Sequence, residues 1–307
     1  MEWLWSSLVL LVPAVVLVTA GVFYMYGLVL GLLSKTSVRN KVVLLTDALT
    51  GLGKECAGLF HRGGARLVLC GRDWDQLEEL SDQLSRDSDP AQTFPVKLVL
   101  LDFGDMASLP EAVEEVLECY GCLDILLLNS SVKVKAPAHT VSLEMDKLIM
   151  DNNYFGPVTL TKAVLPTMIS RRSGHILLLN SIQSKLPVPF RSHYSASKHA
   201  VQAFFDCLRA EVEEFGVTVS SIHHTFICSS SAPQEQRPLG SWLFPRRPAG
   251  VSVDEAAAEI VKTLNNRKRE VVLAASLPKL AVCVRSLCPN LFYSVTAAGV
   301  RDLTSDL

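Results

Sequence analysis

Several features that would define a function class are missing from this sequence of 307 residues. There is no excess of basic side chains: 29 Lys and Arg against 31 Asp and Glu leave a formal net charge of −2, which excludes a strong electrostatic footprint for nucleic acid. There is no second C-x-x-C pair either, since only Cys119 and Cys122 among the 8 cysteines have that spacing. The sequence therefore predicts ordinary thiols, no metal site and no nucleic-acid partner.

Charge is also missing from one long stretch near the amino terminus. The run Trp3–Leu33 contains no charged side chain, and it exceeds the roughly 20 residues that a membrane-spanning helix needs. We therefore predict a membrane anchor over residues 1–34. A signal peptide cleaved after Ala20, giving a secreted protein, is the alternative, but Glu2 makes the amino end acidic and residues 21–33 would stay apolar after cleavage.

Basic residues stand on only one side of this run. Lys35, Arg39 and Lys41 follow it, and none precedes it. The positive-inside rule therefore places the body that follows in the cytosol. The expected location is the endoplasmic or sarcoplasmic reticulum membrane.

After the charge-free run, short apolar segments alternate with amphipathic ones over residues 35–276. Seven of the apolar segments have the length and composition of strands: KVVLLT, ARLVLCG, VKLVLLD, LDILLLN, HILLLN, VTVSSI and EVVLAA. Continuous apolar strands separated by helices predict a doubly wound parallel sheet of Rossmann-like α/β type, covered on both faces. Such a sheet binds its ligand beyond the carboxyl ends of the strands.

Two segments interrupt this alternation. Residues 229–250 are rich in proline and serine and contain the cluster Trp242–Phe244, so we predict a long loop that acts as a lid over the substrate. The tail, residues 277–307, is apolar with few charges. A packed helix and a second membrane contact both fit this tail, and the predicted anchor favours the membrane contact.

The residues that point most directly to chemistry are Tyr194 and Lys198. They stand four apart in a helical segment, so both side chains project from one face. An ammonium near a phenol can lower its pKa by about one to three units, which would make Tyr194 a usable acid or base. Ser181 ends the fifth predicted strand and could bond a substrate oxygen. Asn153 lies in an earlier helix, where its amide could hold a water in a relay to Lys198.

A glycine-bearing turn, TDALTGLGK, follows the first predicted strand. Gly51 and Gly53 allow backbone amides at a helix start to meet a dinucleotide pyrophosphate. Asp47, however, stands where such a turn often has another glycine. A carboxylate about 5 Å from a phosphate costs on the order of 1–3 kcal/mol at an effective dielectric near 20, unless it bonds a ribose hydroxyl instead.

The order of these motifs resembles that of the short-chain dehydrogenase/reductase family over about residues 40–275. Within the family, IQSKLPVPFRSHYSASKHA and FFDCLRAEVEEF are similar to the member-seven group. TDALTGLGKEC and SSVKVKAPAH are similar to the C type of that group.

The resemblance implies an NAD(P)(H) cofactor and a role for each catalytic candidate. Tyr194 would be the acid/base, Lys198 would lower its pKa and hold the nicotinamide ribose, Ser181 would position the carbonyl, and Asn153 would take part in the relay. Asp102 would contact adenine and Ser229 the nicotinamide amide. The cofactor-binding positions implied are Thr46, Asp47, Thr50, Gly51, Leu52, Gly53, Arg72, Asp102, Asn129, Tyr194, Lys198 and Ser229.

The cofactor side also departs from the family pattern. Leu128 begins the segment where Asn-Asn-Ala-Gly is usual, and His224-Thr225 replaces a Pro-Gly pair. Arg72 would face the adenosine ribose, and no acidic residue stands at the strand end to repel a 2′-phosphate. This arrangement favours NADP(H). Asp47 acts the other way, so the preference between NAD(H) and NADP(H) stays open.

Two hypotheses follow. The first is a membrane-anchored oxidoreductase that moves a hydride between a nicotinamide cofactor and a lipophilic alcohol or ketone, retinoid- or steroid-like, with a homodimer as its expected assembly. The second is a pseudoenzyme that keeps the fold as a membrane-bound interaction or sensor protein. The altered cofactor motifs support the second hypothesis, whereas the intact set Asn153, Ser181, Tyr194 and Lys198 supports the first.

Overall fold

The computed structural model describes residues 38–228 and 250–305, with six separate helical residues at positions 15, 18, 19, 21, 22 and 25. Apart from those six, the predicted anchor lies outside the described residues, as do positions 229–249 of the predicted lid. Within the described part of the chain, no helix is both long and apolar enough to cross a membrane.

Seven parallel strands form the central sheet, in the order β3-β2-β1-β4-β5-β6-β9. All seven match apolar segments of the sequence, so the predicted doubly wound sheet is confirmed. Two short strands pair separately and join the two ends of the segment 229–249. The strands are β1 Val42–Leu45, β2 Arg66–Gly71, β3 Lys97–Leu100, β4 Ile125–Leu128, β5 Gly174–Ser181, β6 Val217–His224, β7 Ile227–Cys228, β8 Val251–Ser252 and β9 Glu270–Leu273.

Helices cover both faces of the sheet. Several begin at side chains that accept a bond from the first helical turn, as Thr50, Asp73, Ser142 and Ser252 do. The helices are α1 Gly51–Arg62, α2 Trp74–Arg86, α3 Leu109–Glu118, α4 Leu143–Met150, α5 Gly156–Ser170, α6 Ser192–Val212, α7 Val253–Asn265, α8 Ser276–Leu287 and α9 Pro289–Ser305.

Alternate strand residues supply the two halves of the core. In β1, Val42 and Leu44 pack with residues of α3, α5 and α6, while Val43 and Leu45 pack on the other face with α1, α2 and α7. All four side chains are buried because successive residues of a strand point to opposite faces of the sheet. Burial on both faces explains why the strands are continuously apolar.

One predicted helix is interrupted. The sequence predicts one helix over residues 150–169, whereas the structure begins this segment with a π-helical turn, Asp151–Phe155, between α4 and α5. The turn buries Asn152 and Asn153, each 1% exposed. Such turns occur frequently at functional sites, and this one directs two amides towards the cleft at the carboxyl edge of the sheet.

The tail forms the two helices α8 and α9. Arg285 of α8 donates from Nη1 to the carbonyl of Lys185 at 3.0 Å, and Phe292 of α9 is buried. Other apolar side chains of these helices stay exposed, namely Leu277, Leu280, Leu287, Leu291 and Tyr293. The tail is therefore helical and partly packed, and its membrane contact stays a prediction.

Candidate active site

The glycine turn between β1 and α1 has the shape of a phosphate cradle. Thr50 caps α1, and its Oγ1 accepts from the backbone N–H of Gly53 at 3.1 Å. A Cβ on Gly53 would lie 2.6 Å from the backbone oxygen of Asp47, so only glycine fits there. Gly51 is exposed and Leu52 is buried beneath the turn. The free backbone N–H groups at this helix start are suited to a pyrophosphate.

Asp47 has a left-handed backbone, with φ of 53°. This conformation is the one that a glycine adopts without strain, which explains why a glycine is common at such a position. Burial raises the pKa of the Asp47 carboxyl; the charges of Arg72 and Lys198 lower it and that of Asp102 raises it. The carboxylate therefore lies among the charged groups of the predicted dinucleotide site.

Thr46 and Asn129 connect the ends of two adjacent strands. Thr46 is fully buried, and its Oγ1 accepts from the backbone N–H of Asn129 at 2.9 Å. The Asn129 amide donates to Thr50 Oγ1 at 2.9 Å and to the carbonyl of Asp47 at 3.3 Å. Thr46 and Asn129, both predicted to bind the cofactor, thus stabilise the conformation of the glycine turn.

Arg72 stands at the predicted adenosine end with two partners. Its Nε lies 3.2 Å from Oδ1 of Asp102, and its Nη2 donates to Oδ1 of Asn152 at 2.9 Å. These contacts fix the guanidinium at the end of β2, next to the first turn of α2. The carboxylate of Asp102 offsets part of the charge that a 2′-phosphate would meet, which weakens the lean to NADP(H).

The fold brings the four predicted catalytic residues to one end of the sheet. Tyr194 and Lys198 lie on α6 and are both 2% exposed, while Ser181 ends β5. The Tyr194 hydroxyl lies 3.2 Å from Oγ of Ser131, and hydrogen bonds from Ser131 and Ser181 both favour its ionised form. A substrate oxygen at this hydroxyl would therefore meet Tyr194 together with one or both serines.

Asn153 braces the loop that follows β4. Its Oδ1 accepts from the backbone N–H of Val132 at 2.8 Å, and its Nδ2 donates to the Val132 carbonyl at 2.9 Å and to Ser197 at 3.0 Å. These bonds join the π-helical turn, the loop and α6 in one network. The water relay to Lys198 stays a prediction, because the described bonds give Asn153 a positioning role.

Burial dominates the protonation of Tyr194 and Lys198. It raises the pKa of Tyr194 against the hydrogen bonds of Ser131 and Ser181 and the charge of Arg191. It also lowers the pKa of Lys198 to about 7, with the charge of Lys133 in the same direction and that of Asp47 against it. The lowering of the Tyr194 pKa by Lys198 stays a prediction.

The Lys198 ammonium lies close to both the Tyr194 ring and the loop after β4. Nζ lies 5.8 Å from the centroid of the Tyr194 ring, and it donates to the carbonyl of Ser130 at 3.0 Å. The amine thus bonds to the loop that follows β4. The role of Lys198 in holding a nicotinamide ribose stays a prediction.

Several site residues were missed from the sequence. Ser130 and Ser131 belong to the segment that begins at Leu128 and departs from the family pattern, and their place directly after β4 puts them at the same sheet edge as Ser181. His224, in place of the usual proline, is kept neutral by burial, which lowers its pKa to about 4. Ser229 lies outside the described residues.

The described residues contain no group of three or more His, Cys, Asp or Glu side chains that could hold a metal ion. Cys119 and Cys122 are free cysteines at the end of α3. Hydroxyls, amides and the charged groups of Asp47, Arg72, Asp102 and Lys198 surround the glycine turn.

Comparison with known proteins places this site in a family. A profile for short chain dehydrogenase matches residues 41–238. The chain is 57% identical to dehydrogenase/reductase SDR family member 7C-B of Danio rerio over 99% of this chain and 96% of that protein. It is 52% identical to member 7C of Homo sapiens, over 95% and 96% of the two chains.

Solved structures show the same fold. A short chain dehydrogenase/reductase from Burkholderia phymatum in complex with NAD superposes with a TM-score of 0.71 over 83% of this chain and 96% of its own, at 20% identity. A short chain dehydrogenase from Burkholderia cenocepacia J2315 in complex with NADP gives 0.68 over 85% and 99%, also at 20% identity. At this identity the likeness concerns the fold alone.

Proposed function

The chain belongs to the short-chain dehydrogenase/reductase family, within its member 7C group, and from that premise we propose that it is a membrane-anchored oxidoreductase acting on a lipophilic alcohol or ketone. The observation that carries the proposal is the buried Tyr194 hydroxyl, held 3.2 Å from Ser131 beside Ser181 and on the same helix as Lys198. These groups lie at the cleft that begins with the phosphate-shaped turn. A retinoid- or steroid-like substrate is the form we favour.

The residues of the turn fit a dinucleotide. Thr50 and Gly53 shape the cradle, the start of α1 offers backbone N–H groups to the pyrophosphate, and Arg72 stands where an adenosine ribose would lie. When bound, the nicotinamide supplies or accepts the hydride. Arg72 still favours NADP(H) slightly, although its pairing with Asp102 reduces this preference over NAD(H).

In the reductive direction, the carbonyl carbon gains a hydride and the carbonyl oxygen gains the Tyr194 proton, which yields an alcohol and an oxidised cofactor. Ser181 and Ser131 hold the oxygen at the phenol. The raised pKa of Tyr194 keeps its proton in place before the step, and the negative charge of a bound cofactor would favour the protonated form of Lys198. Burial therefore keeps the phenol protonated, while the hydrogen bonds of Ser131 and Ser181 favour the ionised form that is left once the proton has been given up.

Tyr194→Phe tests this function, because the ring keeps its packing and loses only the hydroxyl. Turnover of any carbonyl substrate should fall by about 10² to 10⁴, the usual effect of losing a positioned acid or base. NADH and NADPH affinity, measured by nicotinamide fluorescence, should stay nearly unchanged. Tyr293→Phe, on the exposed side of α9, is the matched control.

Full turnover by Tyr194→Phe would remove the mechanism. A wild-type protein that binds neither dinucleotide at millimolar concentration would instead favour the pseudoenzyme, for which Asp47 at a glycine position is the supporting feature.

We also propose that the uncharged run Trp3–Leu33 anchors the protein in the endoplasmic or sarcoplasmic reticulum membrane with its body in the cytosol. The full-length protein should then stay with microsomes through a carbonate wash. Release by that wash, or a mature amino terminus at Gly21, would contradict the anchor.

A homodimer through α4 is proposed from the exposed apolar side chains Leu143, Met145 and Leu148.

A further inference from the structure

The guanidinium of Arg72, just after β2, is held along one edge and open along another. Nε lies 3.2 Å from Oδ1 of Asp102, and Nη2 donates to Oδ1 of Asn152 at 2.9 Å. Within residues 38–228 and 250–305, Nη1 has no hydrogen-bond partner, and the side chain is 49% exposed. Nε and Nη2 share one edge of the planar group, so Nη1 and the second N–H of Nη2 form an edge that neither partner occupies.

Both oxygens that meet Arg72 are themselves fixed. Oδ1 of Asp102 accepts from the backbone N–H of Gly104 at 2.8 Å. Asn152 is 1% exposed, and its Nδ2 donates to the carbonyl of Leu148 at 2.9 Å. A Cβ on Gly104 would lie 3.1 Å from Nδ2 of Asn152 and 3.2 Å from Oδ1 of Asp102, so the loop after β3 packs closely against both side chains. The fold therefore sets the orientation of the guanidinium in advance.

The two partners of Arg72 differ in what they do to its charge. The carboxylate of Asp102 offsets part of the positive charge, whereas the amide of Asn152 accepts a hydrogen bond and offsets none of it. Without the amide, the guanidinium could turn both Nη atoms towards Asp102 and form the bidentate pair that arginine and a carboxylate favour. That pair would use the edge that is now open. The amide thus keeps the arginine oriented without reducing its attraction for an anion.

We infer that Asn152 is a positioning residue for cofactor choice, because it holds the open edge of Arg72 ready for the 2′-phosphate of NADP(H). This inference rests on the proposed function, since it needs a dinucleotide whose adenosine ribose lies at Arg72. Asn153, the next residue in the π-helical turn, bonds Val132 and Ser197 instead. The turn therefore directs one amide to the adenosine side of the site and the other to the catalytic side.

Adenosine fragments test this recognition without the nicotinamide. Calorimetry measures the binding of adenosine 2′,5′-bisphosphate and of adenosine 5′-monophosphate to the full-length protein in detergent. The wild type should bind the bisphosphate more tightly. Asn152→Leu keeps the size of the side chain and removes its hydrogen bonds. It should weaken the bisphosphate by roughly three- to tenfold, the effect of about one hydrogen bond, and leave the monophosphate within about twofold.

A double-mutant cycle shows whether Asn152 acts through the guanidinium. In an Arg72→Ala background, adding Asn152→Leu should leave the ratio of the two affinities unchanged. Asn152→Ala cannot overpack the turn and should reproduce the effect of the leucine variant if leucine impairs folding, which thermal unfolding reports. Asn290→Leu, on the exposed surface of α9, is the matched control and should change neither affinity.

Three results would overturn the inference. The first is a wild type that binds the bisphosphate no more tightly than the monophosphate, or that binds neither fragment. The second is an equal loss of both ligands in the Asn152 variants, which would indicate a purely structural role. The third is a change in the affinity ratio that persists after Arg72 has been removed.

Failure of the proposed function gives a different result. A protein that prefers the bisphosphate, loses this preference in the Asn152 variants and reduces no carbonyl compound with NADPH would keep the inference and lose the oxidoreductase. An active enzyme whose affinity ratio for NADPH and NADH, measured by nicotinamide fluorescence, does not respond to Asn152→Leu would keep the function and lose the inference.

Discussion

Replacing Lys198 by methionine is expected to stabilise the protein while removing its dinucleotide-dependent activity. Lys198 is 2% exposed, and burial lowers its pKa from the ordinary 10.5 to about 7. The folded protein therefore disfavours the charge that an unfolded lysine carries at neutral pH. Methionine fills a similar volume without that charge, so folding no longer has to desolvate an ammonium.

The size of the effect follows from the pKa. A fall from 10.5 to about 7 corresponds to roughly 4–5 kcal/mol of destabilisation at neutral pH, at about 1.4 kcal/mol for each pKa unit. Methionine leaves the Ser130 carbonyl without its 3.0 Å donor, which costs about 1–3 kcal/mol. The net gain should be roughly 1–4 kcal/mol at pH 7. At about 2–4 °C per kcal/mol, the unfolding temperature should rise by several degrees.

The pH dependence distinguishes this cause from better packing. Between pH 7 and 10.5 the unfolded wild type binds one proton more at this position than the folded protein, so wild-type stability rises with pH in that window. The methionine variant lacks this proton. Its advantage should be largest at and below pH 7 and should disappear as the pH approaches 10.5.

Thermal unfolding of the full-length protein without cofactor, scanned from pH 6 to 10, measures the difference. Lys262→Met, which removes a lysine side chain that is 61% exposed on α7, controls for the loss of one positive charge. A Lys198→Met protein less stable than the wild type at pH 7, or an advantage that does not change with pH, would refute the reasoning.

Two predictions concern the cofactor side. Asp47→Gly should tighten dinucleotide binding by roughly tenfold or more at neutral pH, because it removes a carboxylate from the turn and suits the φ of 53°. Asp47→Asn removes the charge without restoring a glycine, so it distinguishes the electrostatic effect from the backbone effect. Unchanged dinucleotide affinity in these variants would mean that the carboxylate does not weaken binding. Arg72→Ala should weaken NADPH by about tenfold and NADH by less, since only NADPH has a 2′-phosphate; equal losses would make Arg72 a structural partner of Asp102 and Asn152.

The strands and the catalytic pair could be predicted because local rules decide them. Continuous apolar runs between helices leave few alternatives to a covered parallel sheet, and a spacing of four on a helix places Tyr194 and Lys198 on one face. Ser181 followed in the same way from its place at a strand end. These inferences need only periodicity and the fact that parallel strands end at a common edge.

What the sequence could not predict depends on contacts between distant segments. The π-helical turn at Asn153 is stabilised by bonds to Val132 and Ser197, which lie 21 and 44 residues away. The shifted pKa values of Tyr194 and Lys198 have a similar origin, because Lys198 bonds to Ser130, 68 residues earlier, and burial is a property of the whole fold. Spacing along one helix cannot report either effect.

Asp47, which stands where a glycine is usual, and the buried Lys198 are electrostatically linked. This link bears on whether the cofactor site has lost its ability to bind a dinucleotide. The charge of Asp47 raises the pKa of Lys198, so this carboxylate favours the ionised amine that a ribose and a phosphate would need, although it repels the phosphate itself. The advantage of Asp47→Gly should consequently be bell-shaped in pH. At low pH the gain shrinks because Asp47, whose pKa is raised, becomes neutral in the wild type. Above about pH 7 it shrinks again, because Lys198 in the variant loses its charge more readily. A gain in dinucleotide affinity that is constant from pH 5 to 9 would show that Asp47 and Lys198 act independently. Asp47 would then only weaken dinucleotide binding.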